Sequence, residues 1–301
     1  MNDCLRFSVI ITTFDRPEQL ARALAALARS DYPRTEFEVI VVDDGGSDPL
    51  EDIVSGFRTA MTVKLIKQAT NGGPAKGRNA GAEVARNEFL SFTDDDCEPA
   101  PDWLSTLAGR LRQSPKCLVG GRTVNGLTEN PYSAASQLII DMVYASYNAD
   151  PEQSQFFTSN NLAVRADLFR QCGAFDESFR VSEDRELCNR WRHCGLRMSY
   201  EPEAVVEHRH PLTLRAFWRQ HFSYGRGAAR YHKTCGERGS GRLQDDFGFY
   251  STLPRLWREV TRSMPRRQMA RIVPVLLLWQ TANAAGFFYE RFKSRRGRLE
   301  H

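Results

Sequence analysis

The 301-residue sequence contains no C-x-x-C pair, and its seven cysteines (Cys4, Cys97, Cys117, Cys172, Cys188, Cys194 and Cys235) are scattered and odd in number. That pattern argues against a zinc ribbon and a disulfide framework and predicts free thiols in a reducing compartment. Neither G-x-G-x-x-G nor G-x-x-x-x-G-K-[ST] occurs, so a Rossmann dinucleotide site and a P-loop drop out, and with them NAD chemistry and ATP-driven motors. Met1 to Phe7 places a charge before any apolar run and supplies no signal-peptide core, which predicts a cytoplasmic protein. Internal repeats and long low-complexity linkers are missing too. The last residues, Leu299, Glu300 and His301, read as a tag remnant and are set aside.

What is present is an ordinary globular composition, 41% hydrophobic and 26% charged, which excludes a disordered tail, a collagen-like fibre and a multispanning membrane protein. The net charge of +4 is unevenly spread. Residues 255–301 hold eleven Lys and Arg against three Asp and Glu, leaving 30 of the 41 basic and 34 of the 37 acidic side chains to the rest. A basic tail on a mildly acidic body suggests a polyanionic surface for the tail, membrane or nucleic acid.

Along the chain, Phe7–Thr13 (FSVIITT) is a β-branched run followed by Asp15, Pro17 and Glu18 and then Leu20, Leu24 and Leu27 at helical spacing. This predicts strand, turn and capped helix. Phe37–Val42 predicts a second strand ending in the acidic loop Asp43–Asp48, and Val63–Ile66 a weaker third. Asn71–Gly81 (NGGPAKGRNAG) is a glycine-rich loop entering a helix, and Phe89–Thr93 a fourth strand that stops at Asp94, Asp95 and Asp96. The alternation predicts an α/β fold with a mainly parallel, Rossmann-like sheet sandwiched by helices and ligands beyond the strands' carboxyl ends. Further on, Trp103–Leu111 reads as helix, Leu118–Val124 as strand, and Ser182–Trp191 as a helix with Ser182 as N-cap. Leu214, Phe217, His221, Tyr224 and Ala228 give an amphipathic helix.

Three adjacent aspartates raise one another's pKa unless a cation neutralises them. Hard oxygen ligands suit Mg2+ or Mn2+, which one or two carboxylates hold while substrate phosphates complete the shell. The plainer reading of Asp94–Asp96 is a solvated acidic turn. Asp43 and Asp44 at the neighbouring strand edge, with Lys76, Arg78 and the amides of residues 71–77, favour a nucleotide site.

Seven stretches taken in order resemble the family 2 glycosyltransferases of the GT-A fold: VIITTFDRPEQL (9–20), VVDDGGSD (41–48), NGGPAKGRNAGAEVA (71–85), FLSFTDDDCEPAPDWL (89–104), SNNLAVRADLF (159–169), GAFDESF (173–179) and SEDRELCNRW (182–191). The resemblance covers roughly the first 210 residues. It implies an inverting, metal-dependent enzyme that moves a sugar from a nucleotide-diphosphate donor, a UDP-sugar foremost and GDP or dTDP as alternatives, to a sugar or lipid-linked acceptor hydroxyl. Thr12, Asp43 and Asp44 match positions that meet the nucleobase and ribose, and Arg78 a basic residue of the donor site. Asp94 and Asp96 match the outer acids of the D-x-D motif, which face the ribose and hold the metal. Asp95 fills the middle place, usually small or neutral. Asp184, beside Glu183, matches the catalytic base, where a carboxylate takes the proton of the attacking hydroxyl; read without the resemblance, the pair favours a helix N-terminus electrostatically.

In some relatives a histidine at the place of His208 completes the metal site, whereas His210 is the weaker candidate. Asn160 and Asn161 are assigned to the acceptor pocket, and acceptor choice to variable loops at Asn125–Phe157 together with the C-terminal helices. RQHFSYGRGAARYH (219–232) departs from the Q-x-x-R-W signature of processive synthases and implies single transfer. The rivals are a nucleotidyltransferase that makes the sugar nucleotide, disfavoured for want of an N-terminal phosphate-gripping glycine loop, and a non-catalytic binder of sugar or nucleic acid. Nucleic acid is excluded by the acidic body and the lack of a recognition motif.

The expected division is a GT-A domain at 1–210 and a basic helical extension at 211–298. Within the extension, Ile272–Tyr289 is interrupted by Pro274, Gln280, Thr281 and Asn283 and falls short of a spanning helix. Arginines on both sides suit anionic headgroups at an inner membrane face; packing on protein or a dimer contact is the other use of such a helix.

Overall fold

The computed structural model describes residues 4–241, 257, 258, 262 and 266–296. Met1–Asp3, Arg298 and the tag-like Leu299–His301 lie outside the described residues. The chain forms two compact units, one of residues 1–124 and 150–209, the other of 125–149 and 210–301.

The first unit is built on β1 (Phe7–Thr13), β2 (Phe37–Asp43), β3 (Thr62–Lys67), β4 (Phe89–Asp94), β5 (Cys97–Pro99), β6 (Leu118–Asn125), β7 (Leu162–Arg165) and β8 (Met198–His208). They form one eight-stranded sheet in the order β3-β2-β1-β4-β7-β6-β8-β5. The half from β3 to β4 is parallel, as the strand–helix alternation predicts. Beyond β4 the sheet is mixed, because β7 runs antiparallel to both β4 and β6, and β5 antiparallel to β8.

Both faces of β1 are buried, which is why its sequence is continuously apolar and not alternating. On one face Val9 and Ile11 pack with Leu20, Leu24 and Leu27 of α1 (Pro17–Ala28) and with Trp103, Leu104, Leu107 and Leu111 of α4 (Trp103–Gln113). On the other lies α3 (Pro74–Val84), which follows the short α2 (Glu51–Gly56) and β3. A Cβ at Gly77 would lie 2.7 Å from Thr12 Cγ2, and one at Gly81 2.6 Å from Ile10 Cγ2. The two helical glycines, one turn apart, let α3 sit directly on the strand. α6 (Ala166–Gln171) and α7 (Glu183–His193) complete the unit, and Phe92, Phe169 and Phe175 form a ring cluster with centroids 5.3–5.5 Å apart.

The second unit contains α5 (Pro131–Tyr147), α8 (Leu214–Arg238) and α9 (Arg266–Arg296). The segment 125–157, expected as variable loops, therefore contains a 17-residue helix capped by Asn130, whose side chain accepts from the amides of Tyr132 and Ser133. Its reason is a core of its own: Leu138 and Met142 of α5 pack with Phe217 of α8 and Ile272, Val275 and Trp279 of α9. α8 and α9 cross at backbone contact, since a Cβ at Gly225 would meet the Asn283 carbonyl at 2.0 Å and one at Gly286 the Phe222 carbonyl at 1.9 Å. The polar residues within 272–289 do not break α9. One helix runs through Pro274, and Met269–Ser294 is long and apolar enough to cross a membrane by length and composition.

Candidate active site

Strand register assembles the site. β1 pairs in parallel with β2 and β4, which puts Thr13 opposite Asp43 and Thr12 opposite Asp94 at the carboxyl edge. The acidic stretches 43–44 and 94–96 are thereby brought to one rim although some fifty residues separate them. β5 pairs with β8 so that Cys97 faces His208, and this carries His208 to Asp96 with Nε2–Oδ1 at 3.2 Å.

The three aspartates are held differently, with Arg16 shared between the last two. Asp94 accepts from Arg78 at 2.6 Å. Asp95, 3% exposed, accepts from the Thr13 hydroxyl at 2.7 Å and from Arg16 at 3.2 Å. Burial first, and then the charge of Asp96, push Asp95 up to about 6. Asp96 meets His208 and, at 3.3 Å, Arg16. Asp95 is thus the most deeply buried of the three, and Arg16 supplies the charge that makes a third carboxylate tolerable. His208 is raised in pKa, burial opposing the hydrogen bond and charge of Asp96 that win.

Arg16 was not legible as a site residue. It stands at the N-cap of α1 with no capping bond from its side chain, and the expected acidic cap is elsewhere: Asp15, at φ 51°, accepts from the Ser47 amide at 2.7 Å. Pro17 stands at the first helical position, where its missing N–H would have had no intrahelical partner and its fixed φ suits the helix start. A sequence signal existed in the one basic side chain between the first strand and the helix.

Asp43 and Asp44 are both buried. Asp44 accepts from the Gly72 and Gly73 amides at 2.8 Å each, one per oxygen, and so holds the glycine-rich loop. Asp43 accepts from the Gly46 amide at 2.7 Å and lies 3.6 Å from Lys67.

Arg78, 3% exposed, bridges Asp94 to Glu183 of α7, donating to the latter at 2.8 Å across 105 residues of sequence. Its guanidinium lies over the Phe175 ring at 5.6 Å, and its pKa is raised because the two acids outweigh burial. Glu183 is therefore an internal ion-pair partner. Asp184 remains, partly accessible, at the start of α7. Burial first, then the neighbouring Glu183 charge, push its carboxyl up to about 7 against the Arg185 amide and Arg78. Ser182, expected as the N-cap, occupies that position at φ 65° without a side-chain cap, so the turn into α7 is a left-handed one.

Asn160 and Asn161 come together but are engaged. Asn161 is fully buried, accepting from Trp103 Nε1 at 2.8 Å and donating to the Arg122 and Ala204 carbonyls, while Asn160 accepts from Thr158 and Thr123. Asn161 thus pins the sheet, and its amide is spoken for. His210 opens the second unit.

The combination of a half-parallel sheet, an acidic rim and a buried arginine joining that rim to an acidic helix start defines a GT-A architecture. The family profile for glycosyl transferase family 2 matches residues 8–173, and the chain belongs to that family. It is 32% identical over 197 residues to the pre-mycofactocin glycosyltransferase of Mycobacterium tuberculosis, an alignment covering 64% of this chain and 41% of that one. To glycosyltransferase AglE of Haloferax volcanii it is 27% identical over 207 residues, covering 67% and 66%. The chain thus spans less than half the length of the first of these relatives. Among solved structures it is similar to the mannosyltransferase PcManGT from Pyrobaculum calidifontis in complex with GDP-Man and Mn2+, with a TM-score of 0.65 and 18% identity over 99% of this chain and 81% of that one. It is also similar to residues 1–349 of TarS from S. aureus in complex with UDP-GlcNAc, with a TM-score of 0.58 and 19% identity over 97% and 92%.

Proposed function

We propose that the protein transfers a sugar, with inversion, from a nucleoside-diphosphate donor to an acceptor hydroxyl, using Asp184 as general base. The observation that carries this is Asp184 itself, a partly accessible carboxyl pushed up to about 7 at the end of the Asp94–Arg78–Glu183 chain. A base working near neutral pH gains from such a proton affinity, because a general base is most efficient when its pKa lies near the operating pH. Glu183 raises Asp184 by charge and Arg78 restrains it, so the three act as one positioning unit.

The donor's diphosphate belongs at the rim of Asp94 and Asp96. Asp96 offers a carboxylate oxygen, which suits Mg2+ or Mn2+, and His208 an imidazole nitrogen 3.2 Å away, which favours Mn2+ over Mg2+. When bound, such an ion neutralises charge developing on the departing diphosphate. Asp43 and the loop held by Asp44 border the space for base and ribose. Kinship with proteins crystallised with GDP-Man and with UDP-GlcNAc supports a nucleotide-sugar donor and leaves uridine and guanosine diphosphates as the first to try.

Calorimetry with UDP, GDP and dTDP, with and without Mn2+, tests the donor site. One diphosphate should bind in a metal-dependent way and be lost in Asp96→Ala. Binding of none, or equal binding by the variant, overturns the assignment.

A further inference from the structure

We propose that the outward face of α9 docks in the plane of an anionic lipid bilayer while its opposite face stays packed on protein. Val273, Leu277, Thr281, Ala284, Phe288 and Phe292 recur at intervals of three and four, share one helix face and are all exposed. Leu277 is 67% exposed, Phe288 56% and Phe292 63%. At 1.5 Å per residue the stripe is about 29 Å long. Its polar member brings its own acceptor, since the Thr281 hydroxyl donates to the Leu277 carbonyl at 2.9 Å. A continuous apolar stripe of this length on a water-exposed surface marks an interaction site.

The other face is occupied. Ile272, Val275, Leu276 and Trp279 belong to the core shared with α5 and α8, and Gly286 sits against the α8 backbone. Glu290, 6% exposed, is held by Arg226 at 2.8 Å and Arg230 at 3.1 Å. A spanning helix would carry this charged trio toward the hydrocarbon, where ionised groups are costly. One free face therefore means lying in the interface, as amphipathic anchors do.

Charge chooses the occupant. Residues 272–289 contain no charged side chain, whereas Arg266, Arg267 and Arg271 precede them and Arg291, Lys293, Arg295 and Arg296 follow. The acid of the helix, Glu290, is already neutralised within the unit. Both ends being cationic, a second copy laid on this face would oppose like charges whether parallel or antiparallel. Anionic headgroups complement both ends at once. Docking confines the protein to the surface where a lipid-linked acceptor would be presented. Its failure would leave the nucleotide-binding assignment untouched, because calorimetry of diphosphates needs no vesicle.

The test is co-sedimentation of the full chain with phosphatidylcholine vesicles with and without phosphatidylglycerol. Anionic vesicles should bind it about tenfold more strongly, and salt should weaken the binding. Leu277→Glu combined with Phe288→Glu should remove binding without lowering the melting temperature, both side chains being exposed, and the milder Leu277→Ala with Phe288→Ala should fall between. Alkaline carbonate should release the bound protein. Equal binding to neutral vesicles, binding unchanged by the double Glu variant, or resistance to carbonate each overturns the proposal. So does a concentration-dependent dimer that the Glu variant dissociates in the absence of vesicle binding.

Discussion

Asp184 and Glu183 are neighbours with opposite circumstances: one carboxyl is paired with Arg78, the other is left to gain a proton near neutrality. Asp184→Asn should lower kcat by about 10²–10⁴, the usual contribution of a positioned base, with donor affinity unchanged by calorimetry. In the parent enzyme kcat/KM should rise with pH through about 7, where Asp184 ionises, and the residual rate of the Asn variant should lose that limb. Arg16 gives a second prediction. Arg16→Gln leaves Asp95 and Asp96 without their guanidinium, so Mn2+ should raise the melting temperature more in the variant than in the parent, as thermal shift would read. An equal rise would mean that Arg16 and a cation do not compete for these acids.

At the scale of elements, two helix seats depend on glycine for close approach. Gly81→Leu would force α3 off β1, where even a Cβ would come within 2.6 Å of Ile10, and should destabilise by about 1–3 kcal/mol in urea unfolding. Gly286→Leu should do the same to the α8–α9 crossing, where the obstacle is the Phe222 carbonyl, a backbone atom that cannot rotate away. The sequence pattern made the helix after Asn71 legible, and the run of motifs from β1 to α7 located the acidic rim. It did not reveal which glycines face a strand, because a helical wheel gives a face and not what lies against it.

At the scale of the whole molecule, two titratable groups pull stability in opposite directions with pH. Asp184 is raised from an ordinary 3.8 to about 7, so the folded chain retains a proton that the unfolded chain has lost. Its stabilising effect is complete below about pH 4 and disappears as pH rises toward 7. Asp184→Asn should therefore match the parent's melting temperature at pH 4 and exceed it at pH 8. His221 is 3% exposed and ringed by Phe217, Tyr224 and Trp279, and burial lowers it from 6.5 to about 4. Here the unfolded state takes the proton first, so stability is lost as pH falls from 6.5 toward 4, by up to about 3 kcal/mol at 1.36 kcal/mol per unit. His221→Leu should flatten that acid side, and a melting curve as steep as the parent's between those pH values would contradict it.

The sequence by itself determined the family, the parallel half of the sheet and the acidic carboxyl edge, because these follow from local apolar runs and from turn residues at strand ends. Tertiary structure alone decided which charges meet: Arg16 with Asp95, Arg78 with Asp94 and with Glu183, Glu290 with two arginines of another helix. It also decided that Asn161 serves Trp103 and that residues 131–147 form a helix of the second unit. Periodicity specifies a face within one element. Partners 16 to 105 residues apart are fixed only when strand register and helix seating bring those faces together.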